Sequence, residues 1–461
     1  MKMNGKLIFL LCFSFLVRLI SLDQSLWLDE TTTANVVRNL GYFDIISKFS
    51  PHDFHPPFFY LLMKFWTNIF GYSEVSLRMP SVLASIVTGY FVYKLAANMK
   101  LGKSLGLWAS AFFLFNPLIV YYSQEARMYS LTTLFITMIF WSVVKLKDTS
   151  EKLKVKTGKF KFLFFTNVFI ALSLGTFYGS VFFISSLYLY LVLKREFKLL
   201  TYVLPGTVFA SILLYPLFIM QLHNSGEMLS AIPNWSMTLG SANLKNLLLI
   251  PIKLTSGRIS WEPKIYYFAT AGLWALFISS FVMLNLFQHL KKIPKQVRND
   301  LSMFYSLLLL PILLGFVVSF YKPLLQYFRF IYVIPFVAIL LAISANKNWH
   351  RYILIVGFVG FSLLYILNPY FHREDWKSLV QALPSKTVYA LPSSIDPISY
   401  YNRSIKSNSI LAESPTERII TLIPYATEIY GFDYVKKLSL LKYRKIREHN
   451  VRGLSYEVWE K

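Results

Sequence analysis

Trp27-Leu28-Asp29-Glu30 sets two adjacent carboxylates a few residues beyond an apolar run, Leu7–Leu22, that has the length and composition of a first membrane span. Carboxylates at a bilayer edge are costly to desolvate, so an unneutralised pair there points to a task. A carboxylate made more basic by partial burial can take a proton from a sugar or serine hydroxyl as that hydroxyl attacks. The same position lets Asp29 or Glu30 cap a helix starting at Thr31, and the two roles are compatible. His52, Asp53, His55-Pro56-Pro57 and Arg78-Met79-Pro80-Ser81 follow within the same loop. The rigid Pro-Pro fixes a helix approach, and His55 can then donate to a phosphate or orient a carboxylate. Arg78 opens the second span, Arg127 sits in the short turn Tyr121–Tyr129, and Lys322 and Arg329 flank a later span end. Guanidinium groups pair bidentately with phosphate oxygens. Singly, each of these cations also reads as a snorkelling anchor. Together they describe chemistry at a membrane surface on a phosphate-bearing substrate.

The rest of the chain must place these groups at one membrane face. Of its 461 residues 55% are hydrophobic, 18% aromatic and only 15% charged, against about 25% charged in soluble domains. One cysteine, Cys12, excludes an intrachain disulfide and a cysteine metal site. Apolar runs recur at Leu7–Leu22, Pro80–Ala97, Ser104–Tyr121, Tyr129–Val144, Phe162–Phe177, Val181–Leu193, Leu199–Met220, Ile265–Phe287, Met303–Phe320, Phe330–Ala345 and Tyr352–Leu367. That makes about eleven spans, with Phe162–Leu193 a tight helical hairpin around Gly175 and Gly179. Leu7–Leu22 lacks a small-x-small cleavage site and reads as a span.

Six basic clusters fall on one side: Lys2 with Lys6, Lys100 with Lys103, Lys145 through Lys161, Lys194-Arg195, Lys291 through Arg298, and Lys347 with Arg351. By the positive-inside rule that side is the cytoplasm of a cell (plasma or inner) membrane. The N-terminus is then inside and the tail outside. The net charge of +24 is accounted for by these loops and calls for no nucleic acid. The carboxylates and most histidines lie on the opposite face.

The chain thus reads as an all-α polytopic membrane protein with a small C-terminal extracytoplasmic α/β domain. Residues 1–370 form the transmembrane domain, with 23–79 as its first outer loop, and 371–461 the soluble domain. Within the loop, Thr31–Phe49 and Pro57–Phe70 predict helices lying in the interface plane, with Tyr60 and Trp66 at headgroup depth. Gln221–Lys264 is a second long outer loop, and Thr387–Leu391 and Ile419–Ile423 predict buried strands.

Asp29-Glu30, His55-Pro56-Pro57-x-x-Tyr60, Gly71-x-x-Glu74-x-x-x-Arg78-x-Pro80-Ser81 and Tyr121–Tyr129 occur in an order that resembles the polytopic glycosyltransferases of the C-type fold. The similarity is to bacterial relatives of the protein O-mannosyltransferases and of the lipid A aminoarabinose transferase. Arg329-Phe330-x-Tyr332-x-x-Pro335 and Arg373-Glu374-Asp375-Trp376 extend it. The resemblance implies a polyprenyl-phosphate-linked monosaccharide donor, a lipid, glycan or protein acceptor, and extracytoplasmic transfer with inversion. It makes Asp29 the base, supported by Glu30. It brings His55, Arg78, Arg127, Lys322 and Arg329 to the donor phosphate, and Tyr60, Gln124, Glu125 and Tyr129 to the substrates. The aminoarabinose enzymes have Lys where His55 stands. It implies no cofactor, and the scattered His and carboxylates make no clear metal site, though a metal ion is left open. The competing class is a polytopic lipid or glycan transporter or flippase, which usually shows internal repeats and broken helices near the midplane; the sequence shows neither, and its charges gather in outer loops.

Overall fold

The computed structural model describes residues 4–98, 102–151, 156–289, 295–345, 347–384 and 387–461. Each expected apolar run is helical. Among the described residues seven helices are long and apolar enough to cross a membrane, or eight if a bent pair, Lys103–Leu114 with Pro117–Ser123, counts as one span, against the eleven or so expected. Phe160–Thr176 and Ser180–Leu193 are shorter apolar helices joined at Phe177–Gly179, which is the expected hairpin. The first helix, α1 (Gly5–Leu19), begins where the Asn4 side chain accepts from the Lys6 N–H. Burial sorts the bundle: Tyr129–Lys147 and Tyr327–Ser344 are each 72% buried and form its centre, whereas Phe197–Glu227, 17% buried, faces outward.

The bend in that pair is local in origin. Asn116 stops the first helix and caps the second, its side chain accepting from Leu118 N and Ile119 N, and Pro117 starts the new helix at an angle of 60°. Gln124 then donates to the carbonyls of Arg18 and Ile20, so the turn Gln124–Met128 is tied to the end of α1.

The first outer loop differs from expectation in two ways. A single helix over Thr31–Phe49 does not form. α2 (Leu28–Asn39) ends where Leu40 becomes extended ahead of Gly41, and Tyr42–His52 continues as short, tighter and wider helical turns. The helix Phe58–Phe70 is present. It buries Phe59, Tyr60, Met63 and Thr67 and exposes Phe65, Ile69 and Phe70, the one-sided pattern of an interfacial helix. Tyr60 is on its inner face, 1% exposed, so it is not at headgroup depth.

Gln221–Lys264 is also more ordered than a loop. The preceding helix continues to Ala231, and Leu244–Ser256 forms a further helix. The tail carries the expected strands as β1 (Thr387–Ala390) and β3 (Ile419–Ile423), and adds β2 (Lys406–Ser409), β4 (Arg444–Val451) and β5 (Leu454–Glu460). The order is β2-β1-β3-β5-β4, parallel on the β1 side and antiparallel for β3–β5–β4.

This α/β unit grips α2. Asp396 accepts from Thr32 Oγ1 at 2.5 Å and from Asn35 Nδ2 at 3.1 Å, and the Tyr401 hydroxyl accepts from Leu26 N at 2.7 Å. Leu28 packs on the core built by Trp376, Val388, Ile398 and Tyr456. Lys377 Nζ reaches Glu74 at 3.0 Å. Asp396→Ala takes the carboxylate from Thr32 and from Asn35, whose amide keeps the Asp396 carbonyl and Ser399 Oγ, a loss of about 1.5–3 kcal/mol. Thermal melting of the detergent-solubilised protein is expected to fall, and limited proteolysis to release the tail sooner. An unchanged melting point and cleavage pattern would show that Asp396 does not hold the two parts together.

Candidate active site

Glu30 and Arg78 meet in a closed, buried pair. Arg78 Nε donates to Glu30 Oε1 at 2.8 Å and Nη2 to Oε2 at 2.6 Å. Its remaining N–H groups go to the carbonyls of Leu22, Gln24 and Ser25. Glu30 also accepts from Ala126 N at 2.7 Å and, as a helix cap, from Trp27 N at 3.3 Å. Both side chains are at most 2% exposed. All five donors of the guanidinium are used, so Arg78 is not available to a phosphate, and Glu30, saturated and sealed, is not available as a base. Both expectations are corrected: the pair is a framework joining α2, the end of α1, the Glu74–Asn98 helix and the Gln124–Met128 turn.

Asp29 is one residue earlier and, at about 100° per residue, faces elsewhere. Its side chain is 42% exposed and meets Arg127 Nη2 at 3.3 Å. Arg127 is buried, its Nη1 also reaches the Asp29 carbonyl at 3.4 Å, and its Nε has no partner. Burial works against its charge, but Asp29, then Tyr60, Tyr129 and Asp53, outweigh it and hold the proton more tightly than usual.

The strap Ser50–His55 lies beside this pair. Gln221 donates to the carbonyls of Ser50 at 2.7 Å and His55 at 3.0 Å, and Asn224 to that of Pro51 at 2.8 Å. Burial, then Arg127 and Arg329, push His55 well below the ordinary imidazole range, so it is neutral at physiological pH. Its ring lies 5.9 Å from Phe177, which is 5.8 Å from Tyr129. Phe328 is 5.4 Å beyond, with the Arg329 guanidinium 5.9 Å from its ring. Arg329 Nη1 is buried without a partner.

A second cationic group was not read from the sequence as such. Gly257 takes a left-handed turn (φ +79°) against Pro117, and Arg258 then donates to the Tyr121 hydroxyl and lies 5.3 Å from its ring. Arg373 is 5.8 Å from the same ring, 3.6 Å over Trp27, and donates to Glu125 Oε1 at 3.0 Å. Nearby Lys253 donates to the Ile259 carbonyl, and burial, then Arg258 and Lys264, push it down to about 7. The only hints in the sequence were basic residues in an outer loop and the Arg373 motif.

The two groups share an aromatic floor, Tyr121, Tyr122, Tyr129 and Phe328, with Tyr122 5.0 Å from Tyr121 and 5.1 Å from Tyr129. Arg127 has Asp29 and Arg373 has Glu125. Arg258 and Arg329 have no carboxylate partner among the described residues. Enclosed guanidinium charge without an anion is costly. The guanidinium groups of Arg127, Arg258, Arg329 and Arg373 over this floor, here called the chamber, are therefore suited to an anion, with the half-exposed Asp29 carboxylate on Arg127.

Other expected site residues fall as follows. Tyr60 and Tyr129 line the chamber. Glu125 is at the Arg373 side with Oε2 buried and unpartnered. Gln124 spends its amide on Arg18 and Ile20 and serves the framework. Lys322 is exposed and makes no side-chain contact with this group. Among the described residues no cluster of three or more His, Cys, Asp or Glu side chains could hold a metal ion.

The helical bundle with its C-terminal α/β unit has the C-type fold seen in membrane glycosyltransferases. Residues 54–220 match the model of the family described as dolichyl-phosphate-mannose-protein mannosyltransferase. The structure is similar to ArnT from Cupriavidus metallidurans bound to undecaprenyl phosphate, with a TM-score of 0.59 and 10% identity over 99% of this chain and 98% of that one. It is also similar to the archaeal oligosaccharyltransferase AglB from Archaeoglobus fulgidus in complex with an inhibitory peptide and a dolichol-phosphate, with a TM-score of 0.55 and 10% identity over 98% of this chain and 74% of that one. No curated protein matches the sequence.

The two classes of arginine respond oppositely to substitution. Arg78→Gln removes one partner of a buried bidentate pair and should cost about 3–5 kcal/mol in unfolding experiments. Arg329→Gln removes a buried charge with no carboxylate, and should leave stability unchanged or raise it while impairing activity. Equal destabilisation by both would erase the distinction between framework and chamber.

Proposed function

We propose that the chain transfers a monosaccharide from a polyprenyl-phosphate donor to a hydroxyl on a lipid, glycan or protein at the extracytoplasmic face of the cell membrane. The observation that carries this reading is the half-exposed Asp29 on the buried Arg127, together with Arg329, whose Nη1 is buried and unpartnered, and Arg258, neither of which has a carboxylate among the described residues. The undecaprenyl phosphate and dolichol-phosphate in the ArnT and AglB structures support a lipid phosphate as that anion, and the family match supports a sugar on it. The six basic clusters support a cytoplasmic N-terminus and an extracytoplasmic tail, with the domain boundary at 370/371.

In this mechanism Asp29 takes the proton of the acceptor hydroxyl as its oxygen bonds to C1 of the sugar. The bond from C1 to the phosphate oxygen breaks, its electrons stay with the phosphate, and C1 inverts. Arg329 and Arg258 take up the charge that develops on the leaving group, and neutral His55 donates a hydrogen bond without adding charge. Arg127 stands between the two functions, orienting Asp29 on one side and facing the donor on the other. Asp29 and Arg127 touch because the framework pair presents them to each other. Anchoring the lipid tail in the bilayer confines the donor to two dimensions and replaces tight binding by proximity.

Asp29→Asn keeps shape and hydrogen bonding but cannot take a proton. Transfer, followed by mass spectrometry as release of polyprenyl phosphate, should fall by about two to four orders of magnitude with donor binding intact. Near-normal transfer would remove Asp29 from the reaction.

A further inference from the structure

We infer that Asp53 accepts a hydrogen bond from a hydroxyl of the transferred sugar and so sets which sugar the enzyme takes. The inference rests on the donor reading above, which assigns the phosphate to the cationic chamber and the acceptor to Asp29. The sugar is bonded to one and attacked from the other, so it must lie between them. Asp53 is on the strap at that place: the ring of His55, two residues on, lies 5.9 Å from Phe177, itself 5.8 Å from Tyr129 beside Arg127. Its carboxyl feels both Arg127 and Asp29, and the Tyr60 hydroxyl faces it.

Three features fit a recognition group better than a loop fastener. Asp53 Oδ2 is buried without a hydrogen-bond partner among the described residues. A buried acceptor left empty is unfavourable until a donor fills it, and a sugar supplies hydroxyl donors. The strap is already fastened by other groups, Gln221 on Ser50 and His55 and Asn224 on Pro51, so it does not need this carboxylate. Tyr60 itself is immobile, 1% exposed, with its ring 4.9 Å from Phe49. Burial, the largest influence, raises the Asp53 pKa, with Arg127 and Tyr60 opposing it. A carboxyl kept at low charge density can face a neutral hydroxyl without demanding a cation.

A site that has committed a buried acceptor to a hydroxyl discriminates strongly against the analogue without it, because the acceptor is left unpaired. The remaining chamber offers no such discrimination: guanidinium groups read the phosphate, which all donors share. The sequence showed Asp53 as one of several polar residues in the loop; its orientation against Tyr60 required the split between α2 and the strap.

The test uses the full-length protein in detergent and a panel of polyprenyl-phosphate-linked mannose, glucose, galactose and aminoarabinose. Monodeoxy analogues of whichever sugar is transferred best are then compared. The wild type should lose about 10- to 100-fold in kcat/KM when one particular hydroxyl is missing. Asp53→Ala should transfer the parent sugar as slowly as the wild type transfers that deoxy analogue, and should no longer distinguish the two. Asp53→Asn, which retains an acceptor oxygen, should restore part of the discrimination. Binding of sugar-free polyprenyl phosphate should be unchanged in both variants, which also reports that they are folded. Wild-type discrimination retained by Asp53→Ala, or absent at every position in the wild type, overturns the role of Asp53 alone. Failure of the wild type to transfer from any donor overturns the donor reading and the inference with it.

Discussion

The buried pair of Glu30 and Arg78 is the constraint on which the outer face depends. An ion pair out of water holds only if its geometry is good and every remaining donor and acceptor is satisfied. Here those conditions are met by the backbone of three other segments: the carbonyls of Leu22, Gln24 and Ser25, the amide of Trp27 and the amide of Ala126. The pair therefore fixes the entry of α2 relative to the end of α1 and to the Gln124–Met128 turn. Asp29 is displaced from Glu30 by one residue and Arg127 from Ala126 by one residue. Fixing the inner members leaves the outer members facing each other at the chamber mouth.

Among Arg78, Arg127, Arg258 and Arg329 the contrast between satisfied and unsatisfied charge separates framework from chemistry; Arg18, also buried without a carboxylate, is held by Ser14 and the Leu114 carbonyl and belongs to the framework. Arg78 has every N–H used; Arg329 and Arg127 each keep a buried nitrogen with no partner, and Arg258 has only a tyrosine hydroxyl. A protein of modest stability tolerates such unfilled sites where a ligand completes them. The α/β tail takes part as well. It closes over α2 through Asp396 and Tyr401 and contributes Arg373, which stacks on Trp27 beside the carboxylate pair. The membrane bundle alone would lack that cation.

The sequence made the bundle legible because hydrocarbon demands long apolar runs, and each such run is a helix. The hairpin at Gly179 and the amphipathic helix Phe58–Phe70 were legible for the same reason, as patterns of apolar side chains. The Asp29-Glu30 pair was legible as chemistry, but spacing cannot say which member turns inward; that depended on Arg78, about fifty residues away. Arg78 and Arg329 look alike in sequence, each a cation at a span end, and differ only in the partners that folding supplies. Arg258 carries no motif and is brought to Tyr121 by a glycine turn whose left-handed geometry is not encoded by pattern. Strand β4 was missed because it is an exposed, charged edge (Arg444, Lys445, Arg447) without an apolar alternation.

The central claim is that the cations lacking carboxylates are where a lipid phosphate sits. The most direct measurement is the thermal shift of the detergent-solubilised protein with a short-chain polyprenyl phosphate, beside the neutral polyprenol of equal length. A ligand that binds only the folded state raises the melting point in proportion to the logarithm of its saturation. The account predicts a rise with the phosphate, little with the alcohol, and loss of the difference in a variant carrying both Arg258→Gln and Arg329→Gln. Equal stabilisation by phosphate and alcohol, or a phosphate-specific rise that survives in that double variant, would contradict it.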